Sequence, residues 1–194
     1  MKTTVRIAFL GAMGGLLMLY ETPILMSATF LKWDPGDIPA LIGGFAMGPG
    51  AGVLIQLLKA LIFQLSGKNS TGIVGLAALL LAGITFTLSA SLVYRYLHTR
   101  AGAILSLIAG SVAMTAVMVF ANWLVFLPLW GIPAEQIPGL VLSAVLPFNL
   151  LKGAISSVIT FALYKKTCVL LGLRPASEVT RREQTEEGTG HVRV

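Results

Sequence analysis

The sequence predicts an all-α integral membrane protein: six transmembrane helices with a short hairpin of the second and third spans, and both termini in the cytoplasm. The chain is 56% hydrophobic and 11% charged, whereas soluble domains contain about 25% charged residues. Its apolar stretches are long enough to cross a hydrocarbon core of about 30 Å as helices. The net charge of +6 belongs to residues 1–167 and lies at the ends of these stretches, which argues for membrane topology and against nucleic-acid binding.

The predicted spans follow the apolar stretches in chain order. The first covers residues 5–26, and we interpret it as a span because no small-x-small cleavage site of a secretory signal follows it. A polar segment at 29–37 separates it from the ambiguous stretch 38–66. The remaining spans are predicted at 75–97, 102–127 and 140–165.

Residues 38–66 are too long for one span and short for two, and Gly48-Pro49-Gly50 interrupts them. A hairpin there gives six spans, with basic residues concentrated on the cytoplasmic side. A single kinked span gives five and leaves more basic residues outside than inside. The positive-inside rule therefore favours six spans, with these residues in the cytoplasm: Lys2, Arg6, Arg95, Arg100, Lys165 and Lys166.

Two regions are predicted, a membrane domain at 1–167 and a cytoplasmic tail at 168–194. The tail lacks apolar periodicity and its arginines and glutamates balance, so we expect it to be disordered. The single cysteine, Cys168, cannot form an internal disulfide and suggests no metal site.

Polar side chains lie within the last two spans, where a lysine costs roughly 2.5–3.5 kcal/mol at mid-membrane. Asn149, Lys152 and Ser156 share one face of a helix, and Asn122 lies in the preceding span. Alternatively, Lys152 snorkels and the asparagines only join helices. As a ligand site, this donor-rich set suits a neutral heteroaromatic or polyhydroxyl compound. Nearby aromatic residues that could cover a flat ring are Phe120, Trp123, Phe126 and Phe148.

The sequence shows no motif for ion coupling, ATP binding or catalysis. We expect Lys59 to snorkel to the membrane surface. Glu21, near an outer boundary, is the only acid placed in a span, so we predict no embedded carboxylate for proton or sodium coupling. Gly67-Lys68 lacks the remainder of a phosphate-binding loop. The chain is therefore predicted not to be an enzyme, and any transport would draw energy from elsewhere.

Small residues recur four apart in the first helix, as Ala8-x-x-x-Ala12 and Gly11-x-x-x-Gly15. Such spacing lets a second helix approach closely in lipid. The second helix belongs either to this chain or to another subunit, and spacing alone leaves both open.

Three segments together resemble the riboflavin-specific substrate-binding subunit, or S component, of energy-coupling factor (ECF) transporters. They are DIPALIGGFAMGPGAGVLIQLLK (37–59), ANWLVFLPLWGIP (121–133) and LPFNLLKGAISSVITFALYKK (146–166). The likeness covers residues 4–167 and includes the order of the segments. It implies a multi-pass protein of a prokaryotic cytoplasmic membrane that captures riboflavin outside and delivers it inside. Riboflavin is then the transported ligand, and no cofactor is expected.

The resemblance also implies roles for particular residues and partners. Asn122, Asn149 and Lys152 would bind the flavin, with further contacts from the start of the second span, at Asp37, Ile38, Pro39, Ala40 and Leu41. Ala8 and Ala12 would meet a transmembrane coupling subunit that two cytoplasmic ATPases drive. Competing hypotheses are an S component for another vitamin or flavin-like compound, a self-sufficient facilitator, and a scaffold protein that binds no ligand.

Overall fold

The structure is a computed structural model that describes residues 3–26 and 28–170. These residues form six helices and a small two-stranded antiparallel sheet. The first four helices are α1 (Thr3–Met18), α2 (Asp37–Met47), α3 (Pro49–Leu65) and α4 (Gly72–Tyr94). Helix α5 covers Arg100–Leu129. Helix α6 joins Ile137–Leu140, Val141–Val145 and Leu146–Leu170, and the strands are β1 (Thr22–Pro23) and β2 (Lys32–Trp33).

Three of the helices are long and apolar enough to cross a membrane: α4, α5 and the part of α6 between Ile137 and Tyr164. Helices α1, α2 and α3 are apolar but shorter, with 16, 11 and 17 residues. The mostly helical membrane fold predicted from composition is therefore confirmed. Most of the predicted tail, residues 171–194, lies outside the described part of the chain.

The two ends of the bundle differ, and each is named by its residues. The strand end consists of β1, β2 and the connections at 66–71 and 130–136, which meet around Phe30, Thr71 and Trp130. The opposite end contains Gly48 and the connection at 95–99, close to the stacked rings of Phe45 and Tyr94.

The predicted break at Gly48-Pro49-Gly50 is where α2 ends and α3 begins. Gly48 has φ +96°, a conformation that side chains disfavour, and Pro49 starts the next helix. The two helices return antiparallel at very short range, because a Cβ added to Gly52 would lie 3.1 Å from the Cα of Gly44. The break therefore produces a tight hairpin rather than one kinked helix.

The glycines of α1 pack inside the chain. A Cβ on Gly11 or on Gly15 would lie 2.7 Å from the side chain of Leu58 or Ile62 in α3. The Gly11-x-x-x-Gly15 motif is thus an intramolecular contact. Ala8 and Ala12 lie on a different face of α1, and both are exposed.

Helices α5 and α6 each contain one π-helical turn, at Asn122–Phe126 and Val141–Val145. A proline follows each turn closely, Pro128 in α5 and Pro147 in α6. Proline lacks an N–H and its ring clashes with the carbonyl four residues earlier, here inside each turn. The residue before each proline instead donates to the carbonyl five residues back, from Leu127 to Asn122 and from Leu146 to Val141.

The polar segment after α1 corrects the predicted first span. Helix α1 ends at Met18 rather than near residue 26, and β1 and β2 form in the region expected to be helix end and external loop. At the end of β2 the chain turns into the bundle, since Trp33 Nε1 donates to Ser156 Oγ at 3.1 Å. Ser156 lies past the midpoint of the apolar part of α6. Irregular backbone at this depth is tolerated because protein surrounds it.

Candidate functional site

One pocket, at the strand end, contains all three polar residues that the sequence singled out. Asn122, Asn149 and Lys152 line it together, although they come from two helices. Their side chains are largely removed from solvent, with 2%, 2% and 4% exposure. The other lining residues come from the polar segment, from α4 and from the ends of α5 and α6: Glu21, Phe30, Leu31, Lys32, Thr71, Gly75, Ala78, Leu79, Ala82, Met118, Trp130 and Phe148.

The asparagine amides are oriented by the two proline-containing helices. Asn122 Nδ2 donates to Met118 O and Asn149 Nδ2 donates to Val145 O, both at 2.8 Å. Val145 closes one π turn and Asn122 opens the other. These bonds within each helix fix the amide planes. A primary amide has a second N–H and a carbonyl oxygen with which it can bind a ligand.

Aromatic side chains line the pocket, but most of them are not the ones predicted from the sequence. Phe30 and Trp130 line it with their rings edge to face at 6.1 Å. Of the four aromatic residues proposed from the sequence, Phe148 alone is among the lining residues described. Phe126 belongs to the hydrophobic core, whereas Phe120 and Trp123 are exposed on the outside of the bundle.

Lys152 does not snorkel, because two carboxylates lie beside its ammonium group. Lys152 Nζ is 3.0 Å from Asp37 Oδ2 and 3.5 Å from Asp34 Oδ2. Both aspartates also pair with Lys59, which is fully buried. The prediction that Lys59 reaches the membrane surface is therefore wrong. We call Asp34, Asp37, Lys59 and Lys152 the charge quartet.

The expectation that no carboxylate is embedded in the bundle is also wrong. Asp34 and Asp37 are 1% and 0% exposed, because the segment that carries them folds inward instead of remaining in an outer loop. Each faces two lysines, so the quartet contains two negative and two positive charges. Burying charge is costly unless it is paired and hydrogen-bonded.

Neutral groups from α3, α4 and the loop complete the surroundings of the quartet. Gln56 Nε2 donates to Asp37 Oδ1 at 3.0 Å and also lies within hydrogen-bonding distance of Gly83 O and Thr87 Oγ1. The backbone N–H of Gly36 donates to Asp34 Oδ1 at 2.9 Å. The quartet thus joins the end of the polar segment, residues 34–36 (the inward segment), to α2, α3 and α6. Gln56 extends these contacts to α4.

The residues predicted at the start of the second span lie behind the pocket. Asp37 is connected to the pocket only indirectly, by its ion pair with the lining residue Lys152, and residues 38–41 are buried. Ile38 and Leu41 pack in the main hydrophobic core, and Ala40 packs with Leu10 and Ile55. None of Asp37 to Leu41 is among the described lining residues.

Sequence reasoning missed the quartet because it treated each charge alone. The residue types contained a signal. Lys59 and Lys152 both interrupt apolar stretches, and two acids, Asp34 and Asp37, lie close together on either side of Pro35-Gly36. Two costly lysines and two nearby acids suggest pairing. Nothing in the spacing showed that the loop turns inward.

Comparison with known proteins agrees with this architecture. The family model described as the substrate-specific component of ECF transporters matches residues 2–164. The riboflavin transporter RibU of Staphylococcus aureus (strain TCH60) is 31% identical over 171 residues, 85% of this chain and 89% of the relative. The riboflavin transporter FmnP of Bacillus subtilis (strain 168) is 28% identical over 173 residues, 85% of this chain and 91% of the relative.

A solved structure of the S component of a bacterial ECF transporter is also similar. It superposes with a TM-score of 0.75 at 31% identity, covering 87% of this chain and 96% of that one. The fold and pocket thus define a helical membrane protein with a polar site inside an apolar bundle. The chain belongs to the family of substrate-specific components of ECF transporters.

This membership confirms the resemblance found in the sequence and several of its consequences. The protein is a transport component and not an enzyme. It is an integral protein of the cytoplasmic membrane, in agreement with its three membrane-length apolar helices.

Proposed function

We propose that this protein is the high-affinity riboflavin-binding component of an ATP-driven vitamin importer. It captures riboflavin from outside and delivers it to the cytoplasm after docking on an energy-coupling module. The observation that carries the proposal is the convergence of Asn122, Asn149 and Lys152 in one pocket with aromatic walls.

The chemistry of the pocket supports riboflavin as the ligand. The isoalloxazine ring has carbonyl and nitrogen acceptors and an N–H donor, and the ribityl chain has hydroxyl groups. Amides and an ammonium group can match these, while Phe30, Trp130 and Phe148 offer apolar contact to a flat ring. Because the charge quartet is balanced, the buried charges do not require an ionic ligand. The related proteins named riboflavin transporters add independent support.

The proposed topology has six spans with both termini in the cytoplasm, so the pocket opens outside. Basic residues support this orientation, since Arg6, Arg95, Arg100 and Lys166 belong to the opposite end of the bundle. At the strand end, Lys32 is paired with Glu21. Helices α1 and α3 extend roughly 24 and 26 Å at 1.5 Å per residue, so modest local thinning of the bilayer allows both to span.

Docking is proposed to use the exposed face of α1. Ala8 and Ala12 are exposed there while the glycines of the same helix pack on α3. Small exposed residues four apart permit close approach of another helix in lipid. The partner would be the transmembrane coupling subunit, which two cytoplasmic ATPases drive.

Titration of the purified protein with riboflavin tests the proposal. We expect saturable quenching of flavin fluorescence with one site per chain, and flavin to co-purify when the vitamin is present during growth. A colourless protein that shows no quenching of tryptophan or flavin fluorescence would reject riboflavin as ligand. Binding of a different vitamin or flavin-like compound in a competition assay would then identify another S component.

A second measurement separates the importer from a self-sufficient facilitator. Proteoliposomes containing only this chain should not accumulate riboflavin, whereas those that also contain the coupling subunit and both ATPases should do so when ATP is supplied. Rapid equilibration of riboflavin without the partner subunits would favour the facilitator.

A further inference from the structure

The charge quartet connects the polar segment to Lys152, the charged residue on which the proposed function depends. Each aspartate divides its two oxygens between the two lysines. The Oδ1 atoms of Asp34 and Asp37 both receive hydrogen bonds from Lys59, and the Oδ2 atoms of both face Lys152. Lys59 therefore neutralises the far side of the carboxylates, and Lys152 neutralises the side nearest the pocket.

The two lysines are held differently. Lys59 donates to both carboxylates, whose Oδ1 atoms are also fixed by Gln56 and by the backbone of Gly36. Lys152 makes one long hydrogen bond, at 3.5 Å, to Asp34. Its closer contact is the ion pair with Asp37 Oδ2, at 3.0 Å.

An ammonium group has three N–H donors, and the carboxylates therefore do not use all those of Lys152. The Lys152 side chain also lines the pocket. Asp34 and Asp37 therefore balance its charge, while at least one of its N–H donors remains for a ligand in the pocket.

We propose that Asp34 and Asp37 are positioning residues that hold the ammonium of Lys152 at the floor of the pocket, and that Lys59 limits how strongly they attract it. This inference rests on the proposed function, because it assigns the quartet a role in riboflavin binding. Without Lys59, two carboxylates draw one ammonium downward. Without one aspartate, two ammonium groups compete for the other.

The test uses variants that unbalance the quartet and one that restores its balance. Asp34→Asn and Lys59→Met keep approximate side-chain size and change the buried charge by one unit in opposite directions. The double variant Asp34→Asn/Lys59→Met leaves a neutral pair, Asp37 with Lys152. Ser106→Ala serves as the matched control, since Ser106 is buried and bonds only to Gly102 O of its own helix in the described structure.

Riboflavin affinity and ligand-free melting temperature are measured for the full-length protein in detergent. We expect each single variant to bind about tenfold or more weakly, and the double variant to recover to within about threefold of the unaltered protein, since residues in one charge network are strongly non-additive. Ser106→Ala should bind normally. A positioning role predicts that affinity recovers in the double variant even where the melting temperature does not. A purely structural role predicts that affinity and melting temperature change in proportion across the variants.

Several results would overturn the inference. One is normal affinity in both single variants; another is a double variant that folds but binds as weakly as the two single effects combined. If a single variant fails to fold, the double variant still decides, because a folded, charge-balanced protein that does not bind contradicts the proposal. Failure of the unaltered protein to bind riboflavin would instead reject the proposed function and the inference with it.

Discussion

At the scale of single residues, an ionised lysine is stable inside this bundle because its counter-charges enter with it. Lys59 and Lys152 are both buried, and the aspartates that pair with them come from one short segment. Removing one member leaves an uncompensated buried charge, which typically costs 3–5 kcal/mol. Lys152→Ala should therefore impair both stability and ligand binding.

Asn149 offers a cleaner test of the ligand site. Its amide donates only to a carbonyl of its own helix among the hydrogen bonds described, so Asn149→Ala should leave the fold intact. We expect riboflavin to bind about 1 kcal/mol more weakly, the usual loss for a hydrogen-bonding partner. Fluorescence titration measures this, with Ser106→Ala as control. Equal affinity in the folded variant would remove Asn149 from the site.

At the scale of helices, local backbone chemistry determines where polar groups point. The π turns before Pro128 and Pro147 add one residue to a helical turn, which changes the rotation of the residues on either side. Asn122 lies at the start of one turn, and Asn149 bonds to the last residue of the other. Such turns are frequent at functional sites, and here Asn122 of the first turn lines the pocket while the second turn accepts the hydrogen bond of Asn149.

The hairpin of α2 and α3 allows a paired prediction. Gly48→Ala has space, because no atom lies within 4 Å of the new Cβ, but φ is +96°. The strain should destabilise the protein by about 1–3 kcal/mol. Gly50→Ala, also in open space and without a positive φ, should be neutral or slightly stabilising. Thermal unfolding in detergent compares the two; equal melting temperatures would show that the hairpin tolerates another backbone conformation at Gly48.

At the scale of the whole molecule, α1 has two faces with different tasks. Gly11 and Gly15 bring it against α3, and Gly14 lies close to the backbone of Gly36 in the inward segment. The other face exposes Ala8, Ala12 and Leu16. One helix therefore contacts the elements that hold the charge quartet and also presents the proposed docking surface.

Docking is tested by enlarging that surface. Ala12→Trp should bind riboflavin normally, because Ala12 is exposed and does not line the pocket. It should abolish ATP-dependent uptake, since the indole blocks close approach of a partner helix. Leu105→Trp, at an exposed position of α5, is the control and should transport. Uptake at the normal rate by Ala12→Trp in proteoliposomes containing the full module would refute the docking role.

Much of this architecture follows from local sequence. Apolar stretches predicted the long helices α4, α5 and α6 to within a few residues, and Gly48-Pro49 predicted the hairpin. The polar residues Asn122, Asn149 and Lys152 were found because burying them is costly wherever the helix lies. The first span was predicted too long, since an apolar run shows where helix is permitted but not where the chain leaves it.

The sequence by itself determined that this is a helical membrane protein, where its main helices lie and which uncharged amides occupy their interior. These properties depend on composition and periodicity, which act over a few turns. Only the tertiary structure decided which residues compensate Lys152, because Asp34 and Asp37 meet it through contacts more than 100 positions apart in the chain. A loop that turns inward exchanges hydration for ion pairs with distant lysines, and no local pattern encodes that exchange.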